Sequence, residues 1–95
     1  MSLKFEWDPR KAASNRKKHQ VSFEVALTVF ADPLARIFDD EDHSLDERRE
    51  IIIGHPANER LLVVCFAVRD AAIRIFSARK ATKREREDYE KNVES

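Results

Sequence analysis

The chain is short of cysteine, glycine and proline: one, one and three in 95 residues. A single thiol excludes an internal disulfide and fits a reducing compartment, so a cytoplasmic location is expected. With so little glycine and proline the chain is neither collagen-like nor a flexible linker, and a lone Gly54 rules out a phosphate-cradling glycine loop. Long apolar runs are missing too. The longest, Leu61 to Val68, is eight residues, far below the ~20 of a membrane helix. The opening Met1-Ser2-Leu3-Lys4-Phe5-Glu6 forms no apolar signal core. Metal-ligand spacing is absent: His19, His43 and His55 lie far apart, and Cys65 sits alone between Val64 and Phe66. The run Asp39 to Asp42 resembles a calcium loop only superficially. Counted from Asp39 or Asp40, the sixth position is Ser44 or Leu45 where that loop needs glycine. No metal and no other cofactor is expected, and Cys65 is read as an inert core thiol.

Net charge is also missing: 18 basic and 18 acidic side chains cancel. The layout is uneven, however. Residues 1–19 carry six basic and two acidic groups, residues 20–60 four and ten, residues 61–86 seven and two, and residues 87–95 one and four. Two basic blocks flank an acidic middle. If the fold joins them they form a cationic patch suited to phosphates; otherwise they are solvated faces.

The length fits one domain, residues 1–95. Asp8-Pro9 starts a helix, with Asp8 as cap and Pro9 at the first helical position, running to His19. Ser22 is a second cap. Phe23, Ala26, Leu27 and Phe30 then form one apolar helical face, ended by Asp32-Pro33. Four strands are expected at Leu34 to Phe38, Arg49 to Gly54, Arg60 to Val68 and Ala72 to Ala78, with a polar connection over residues 39–44 and a turn over Pro56 to Glu59. Their short links favour antiparallel pairing. Thr82-Lys83-Arg84-Glu85 has the form of a capping box, and a last, very polar helix follows from about Lys83 to Asn92, with Tyr89 and Val93 as its large apolar contacts. The expected fold is α+β: two N-terminal helices, a four-stranded antiparallel sheet and a C-terminal helix.

The strongest local chemical signal is the basic stretch Arg74, Arg79, Lys80, Lys83, Arg84 and Arg86, around the passage into the last helix. Helix N-termini attract anions, and bases in a first turn break the usual dipole rule. Ion pairs at four-residue spacing, Arg84 with Asp88 or Arg86 with Glu90, are the plain alternative. His19, after Lys17-Lys18, is either a proton-transfer group among cations or a helix C-cap. His43 sits among acids beside Ser44, where a structural role is expected. Trp7 is read as packing the first helix on the sheet, with base stacking as the other use.

Three blocks together resemble the BrnT family of bacterial toxins. They are Phe5-Glu6-Trp7-Asp8-Pro9 with Asn15-Arg16-Lys17-Lys18-His19 and Val21-Ser22-Phe23-Glu24; Phe30, Asp32-Pro33, Asp39-Asp40, His43-Ser44 and Glu47 to Arg49; and Arg74-Ile75 with Ser77 to Thr82, Arg84-Glu85-Arg86 and Tyr89. The resemblance covers about residues 5–90. It implies a toxin of a type II toxin–antitoxin pair with a RelE-like fold, cutting RNA without a metal and so arresting translation, at the ribosome or on free RNA. It further implies a BrnA-like antitoxin partner, through which alone the chain meets DNA. One departure is Gln20, where the family usually has glycine after the Lys-His pair; Gln20 is expected to shift His19.

Cleavage of this kind has the 2′-hydroxyl attack its own phosphate. It needs a base, an acid and cations for the charge on phosphorus oxygens. On that resemblance Arg79 and Arg74 take the charge role and His19 or Tyr89 moves protons, Tyr89 only if cations lower its pKa. Lys18, Arg49, Lys80, Thr82 and Lys83 bind RNA, Thr82 ordering the start of the helix rather than reacting. A binding module without catalysis, or a scaffold within a repressor complex, are the alternatives.

Overall fold

The computed structural model describes residues 3–43, 46–57 and 60–94. Ser44 and the Asn58-Glu59 half of the expected turn lie outside the described residues, as does the side chain of Val93. The first strand, β1 (Lys4–Glu6), leads into α1 (Pro9–His19), α2 (Phe23–Ala26) and a 3-10 turn (Leu27–Ala31). Then come β2 (Arg36–Asp39), a second 3-10 turn (Glu41–His43), β3 (Glu50–Gly54), β4 (Leu62–Arg69), β5 (Ala72–Lys80) and α3 (Lys83–Glu94).

The caps form as the residues dictate. Asp8 accepts from the Arg10 N–H at 2.8 Å, with Pro9 in the first turn. Ser22 accepts from the Val25 N–H at 3.1 Å. Thr82 and Glu85 close the reciprocal box at 2.8 and 3.1 Å. The second helix is four α-helical residues that tighten into 3-10 geometry from Leu27. The expected polar connection after β2 contains the Glu41–His43 turn.

The sheet has five strands in the order β1-β5-β4-β3-β2, which corrects the expected four-stranded antiparallel sheet. Strands β2 to β5 are antiparallel as expected, but β1 adds a fifth, parallel to β5, with Phe5 opposite Ile73. The sheet is therefore mixed. Parallel pairing needs a long crossover, and about two thirds of the chain lies between β1 and β5. Beyond Arg74, no strand among the described residues lies beside the flank of β5 that faces β1, and α1 covers it. Buried Asn15 donates to the Ala78 carbonyl at 2.8 Å and accepts from the Ala78 N–H at 3.1 Å, pairing that edge with a side chain.

The strand faces separate two cores. Ile52, Leu62, Val64, Phe66, Ile75 and Ala78 pack under Phe23, Ala26 and Val29. On the opposite face Ile53, Leu61 and Val63 pack with Tyr89 of α3. The register slips between Cys65 and Phe66: Cys65 faces Ser77 but Phe66 faces Ile75. This bulge leaves Phe76 as the extra residue, so Phe76 and Ser77 both belong to the face opposite the helical core. Gly54 is required by close approach, because a Cβ there would lie 2.9 Å from Ala35 Cβ and 3.0 Å from Asp32 Oδ2.

Candidate RNA-binding groove

Cross-strand neighbours share a face. Arg79 stands beside Val63, itself beside Ile53; Ser77 stands beside Cys65, itself beside Ile51. Helix α3 covers the Tyr89 end of this face. The rest is an open cavity of about 460 Å³ bordered by Lys11, His43, Arg49, Phe76 and Arg79, with Asp40 and Cys65 in its lining. Three cations gather at the bulge residue. The guanidinium carbons of Arg49 and Arg69 lie 4.0 and 5.6 Å from the centre of the Phe76 ring, and the Lys11 ammonium 5.3 Å from it. The negative ring face attracts each of them. Arg69 is also paired with Glu47.

Arg79 separates this cavity from a smaller one of about 220 Å³ bordered by Tyr89, Glu85 and Phe38. Its Nη1 and Nη2 donate to the two Glu85 oxygens, each at 2.8 Å. The Arg79 hydrogen bonds hold the Glu85 carboxyl at about 2, against the smaller opposing effect of burial.

On the other side of the cavity, His43 Nδ1 lies 3.1 Å from both oxygens of Asp40, whose side chain is 8% exposed while the imidazole is 65% exposed. Cys65 Sγ donates to the same carboxylate at 3.3 Å. Burial raises the Asp40 carboxyl, but the hydrogen bonds from His43 and Cys65 outweigh it and the net direction is down. Burial, with Asp40 adding to it, pushes the Cys65 thiol up to about 12, so it stays protonated.

The expected site residues divide. Arg79 and Arg49 share the open cavity. Arg74 lies near Glu6 of β1, at 3.7 Å. Tyr89 borders the smaller cavity beside Arg79, with its hydroxyl 3.4 Å from Asp32. Burial and the Asp32 carboxylate raise its pKa, the opposite of the shift a proton-moving tyrosine was expected to show. His19, half-buried at the end of α1, borders neither cavity that Arg79 lines. Gln20 does not disrupt that helix end. It adopts the left-handed conformation itself, φ 60° and ψ 32°, and its N–H donates to the Arg16 carbonyl at 2.8 Å. Lys18 is exposed on α1, Lys83 pairs loosely with Glu87, and Lys80 borders cavities with Arg60 elsewhere on the molecule. Thr82 serves the capping box.

Sequence reasoning missed Lys11, Arg69 and Phe76, which meet through the bulge, and it gave His43 a structural role without seeing its groove. Among the described residues no group of three or more His, Cys, Asp or Glu side chains is arranged to hold a metal ion, and no helix is long and apolar enough to cross a membrane.

Residues 7–85 match the family model described as the ribonuclease toxin BrnT of type II toxin–antitoxin systems. Nothing among curated proteins matches. The fold is similar to the crystal structure of the Brucella abortus ribonuclease toxin BrnT, at 25% identity and a TM-score of 0.63, covering 86% of this chain and all of that one. With a family match across most of its length, and a solved toxin of the same fold, this chain belongs to the BrnT family of type II toxin–antitoxin ribonuclease toxins.

Proposed function

We propose that the open face of the sheet binds single-stranded RNA and cuts it without a metal, by attack of a 2′-hydroxyl on the adjacent phosphate. The observation that carries this reading is the convergence of Lys11, Arg49 and Arg69 on Phe76, in a cavity that Arg79 also borders. Gathered cations repel one another, so an anion entering among them is favoured. Guanidinium forks suit phosphate oxygens and remain charged throughout the reaction. The charge that builds on phosphorus oxygens in the transition state is then met by the protein's own cations.

In this reading Arg49 and Arg79 contact the reacting phosphate, Lys11 steers it, and Arg74, Lys18, Lys80 and Lys83 meet a strand that extends beyond the groove. Cutting of messenger RNA, free or on the ribosome, arrests translation in the cytoplasm. A RelE-like ancestry agrees with helices packed against a small sheet, α1 and α2 on one face and α3 on the other. A BrnA-like antitoxin covers the toxin and provides the contact with DNA. Ile37 and Phe38 on the edge strand β2, each about half exposed, are suited to lie under such a partner.

The test is incubation of purified protein with labelled single-stranded RNA in EDTA. Fragments ending in a 2′,3′-cyclic phosphate are the expected result. An intact RNA that is only retarded on a gel, and released by salt, would make the protein a binding module instead.

A further inference from the structure

We infer that His43, held by Asp40, is the group that takes the proton from the attacking 2′-hydroxyl, an assignment that rests on the ribonuclease reading above. Its neighbours, not its place in the sequence, point to this role. Both Asp40 oxygens lie 3.1 Å from Nδ1. A buried carboxylate at that nitrogen fixes the ring and keeps the proton on Nδ1, which leaves Nε2 as the acceptor. The ring itself is 65% exposed and borders the cavity that Arg49, Arg79 and Lys11 also line. The exposed imidazole thus shares one cavity with three cations of the kind that suit phosphate.

The other proton carriers of the molecule are placed differently. Tyr89 has a buried ring, its hydroxyl is held by Asp32, and its pKa is raised. The Cys65 thiol is pushed up to about 12. His55 lies 3.7 Å from Asp32, and His19 borders neither Arg79 cavity. Among the described residues His43 is the one imidazole on the groove. The charged groups around it are Asp40 and Asp42 on its own turn, Asp46 and Glu47 after it, Arg49 leading into β3, Arg69 at the end of β4, and Lys11 of α1 and Arg79 of β5 in the shared cavity.

The step balances. The O2′–H bond breaks and its proton passes to His43 Nε2; the O2′–P bond forms as P–O5′ breaks. The departing 5′-oxygen takes a proton from water, and the imidazolium returns its proton to water. The products are a 2′,3′-cyclic phosphate and a free 5′-hydroxyl.

The experiment compares the intact protein with H43Q and D40N on a labelled single-stranded RNA oligonucleotide, in EDTA, across a pH series. H43Q should lower kcat by about 100-fold or more, leave KM within about twofold, and leave the unfolding midpoint in place. The acidic limb of the kcat profile should vanish with it. D40N should lower kcat by about tenfold or more, because it releases the ring, while keeping that limb. Wild-type kcat in H43Q, or a loss confined to KM, overturns the assignment and leaves the ribonuclease reading standing. A wild-type protein that binds RNA but never cuts it overturns both.

Discussion

Arg79 and Glu85 meet fork to fork, two parallel hydrogen bonds of 2.8 Å, and the same Glu85 oxygen that binds Nη1 also accepts the Thr82 N–H. One carboxylate thus caps α3 and fixes the side chain of the strand arginine that borders the groove. E85Q separates the two duties, since glutamine still suits the capping box but not the ion pair. The folded carboxyl lies near 2, below its ordinary 4.5. Its contribution to stability is therefore present above about pH 4.5 and is lost as pH falls through about 2. At neutral pH, E85Q should cost about 1 kcal/mol, a figure kept small because the pair is partly exposed. The difference from wild type should shrink through that acid window, as urea unfolding at several pH values would show.

At Gly54 an added methyl group would meet Ala35, Asp32 and Val29, all within 3.1 Å. Asp32 cannot easily yield. It accepts from the His55 N–H at 2.7 Å and the Leu34 N–H at 2.9 Å, bonds that outweigh the effect of burial and lower its pKa. G54A should therefore destabilise the fold by about 1–3 kcal/mol, measured as a lower midpoint with an unchanged denaturant slope.

Gln20, with an exposed side chain, holds a left-handed conformation that favours glycine. Relief of about 1–2 kcal/mol of strain is partly offset by about 0.5–1 kcal/mol of extra chain entropy for glycine. Q20G should raise stability by roughly 0.5 kcal/mol, a few degrees in Tm for a domain of this size, with no change in RNA affinity.

Phe76 organises three cations rather than offering a bare ring, because Arg49 already lies 4.0 Å from its centre. F76L keeps an apolar residue at the bulge and removes the ring face. Each lost contact is worth about 0.5–1 kcal/mol at an exposed site. RNA affinity should fall severalfold, and the decline of affinity with salt should become shallower, which filter binding across a salt series would read.

Much of this fold was legible because its signals are local. Asp8-Pro9, Ser22 and the Thr82–Glu85 box each state a helix start within four residues. The β-branched run at Ile51 to Ile53 and the apolar Leu61 to Val68 mark strands by composition. Strand β1 was not legible: three residues show no periodicity, and its partner in β5 lies nearly seventy positions on. The groove was half legible. Arg79 stood out in the basic stretch before the last helix, and Arg49 came from the family resemblance. Lys11, Arg69 and Phe76 join them only through a bulge, and a register slip of one residue leaves no mark in the sequence. His43 looked structural beside its acids because the carboxylate that orients an imidazole and one that merely neutralises it look identical in a sequence.

The groove's role in cleavage rests most directly on Arg49, which faces Phe76 and shares the cavity with Arg79 and His43. The measurement is kcat/KM of purified R49A on single-stranded RNA in EDTA, with thermal unfolding to confirm the fold and K80A, from a different cavity, as the comparison. R49A should lose about 100-fold or more at a nearly unchanged Tm, and K80A only a few-fold. Full cleavage by a folded R49A would contradict the placement of the reaction on this face of the sheet.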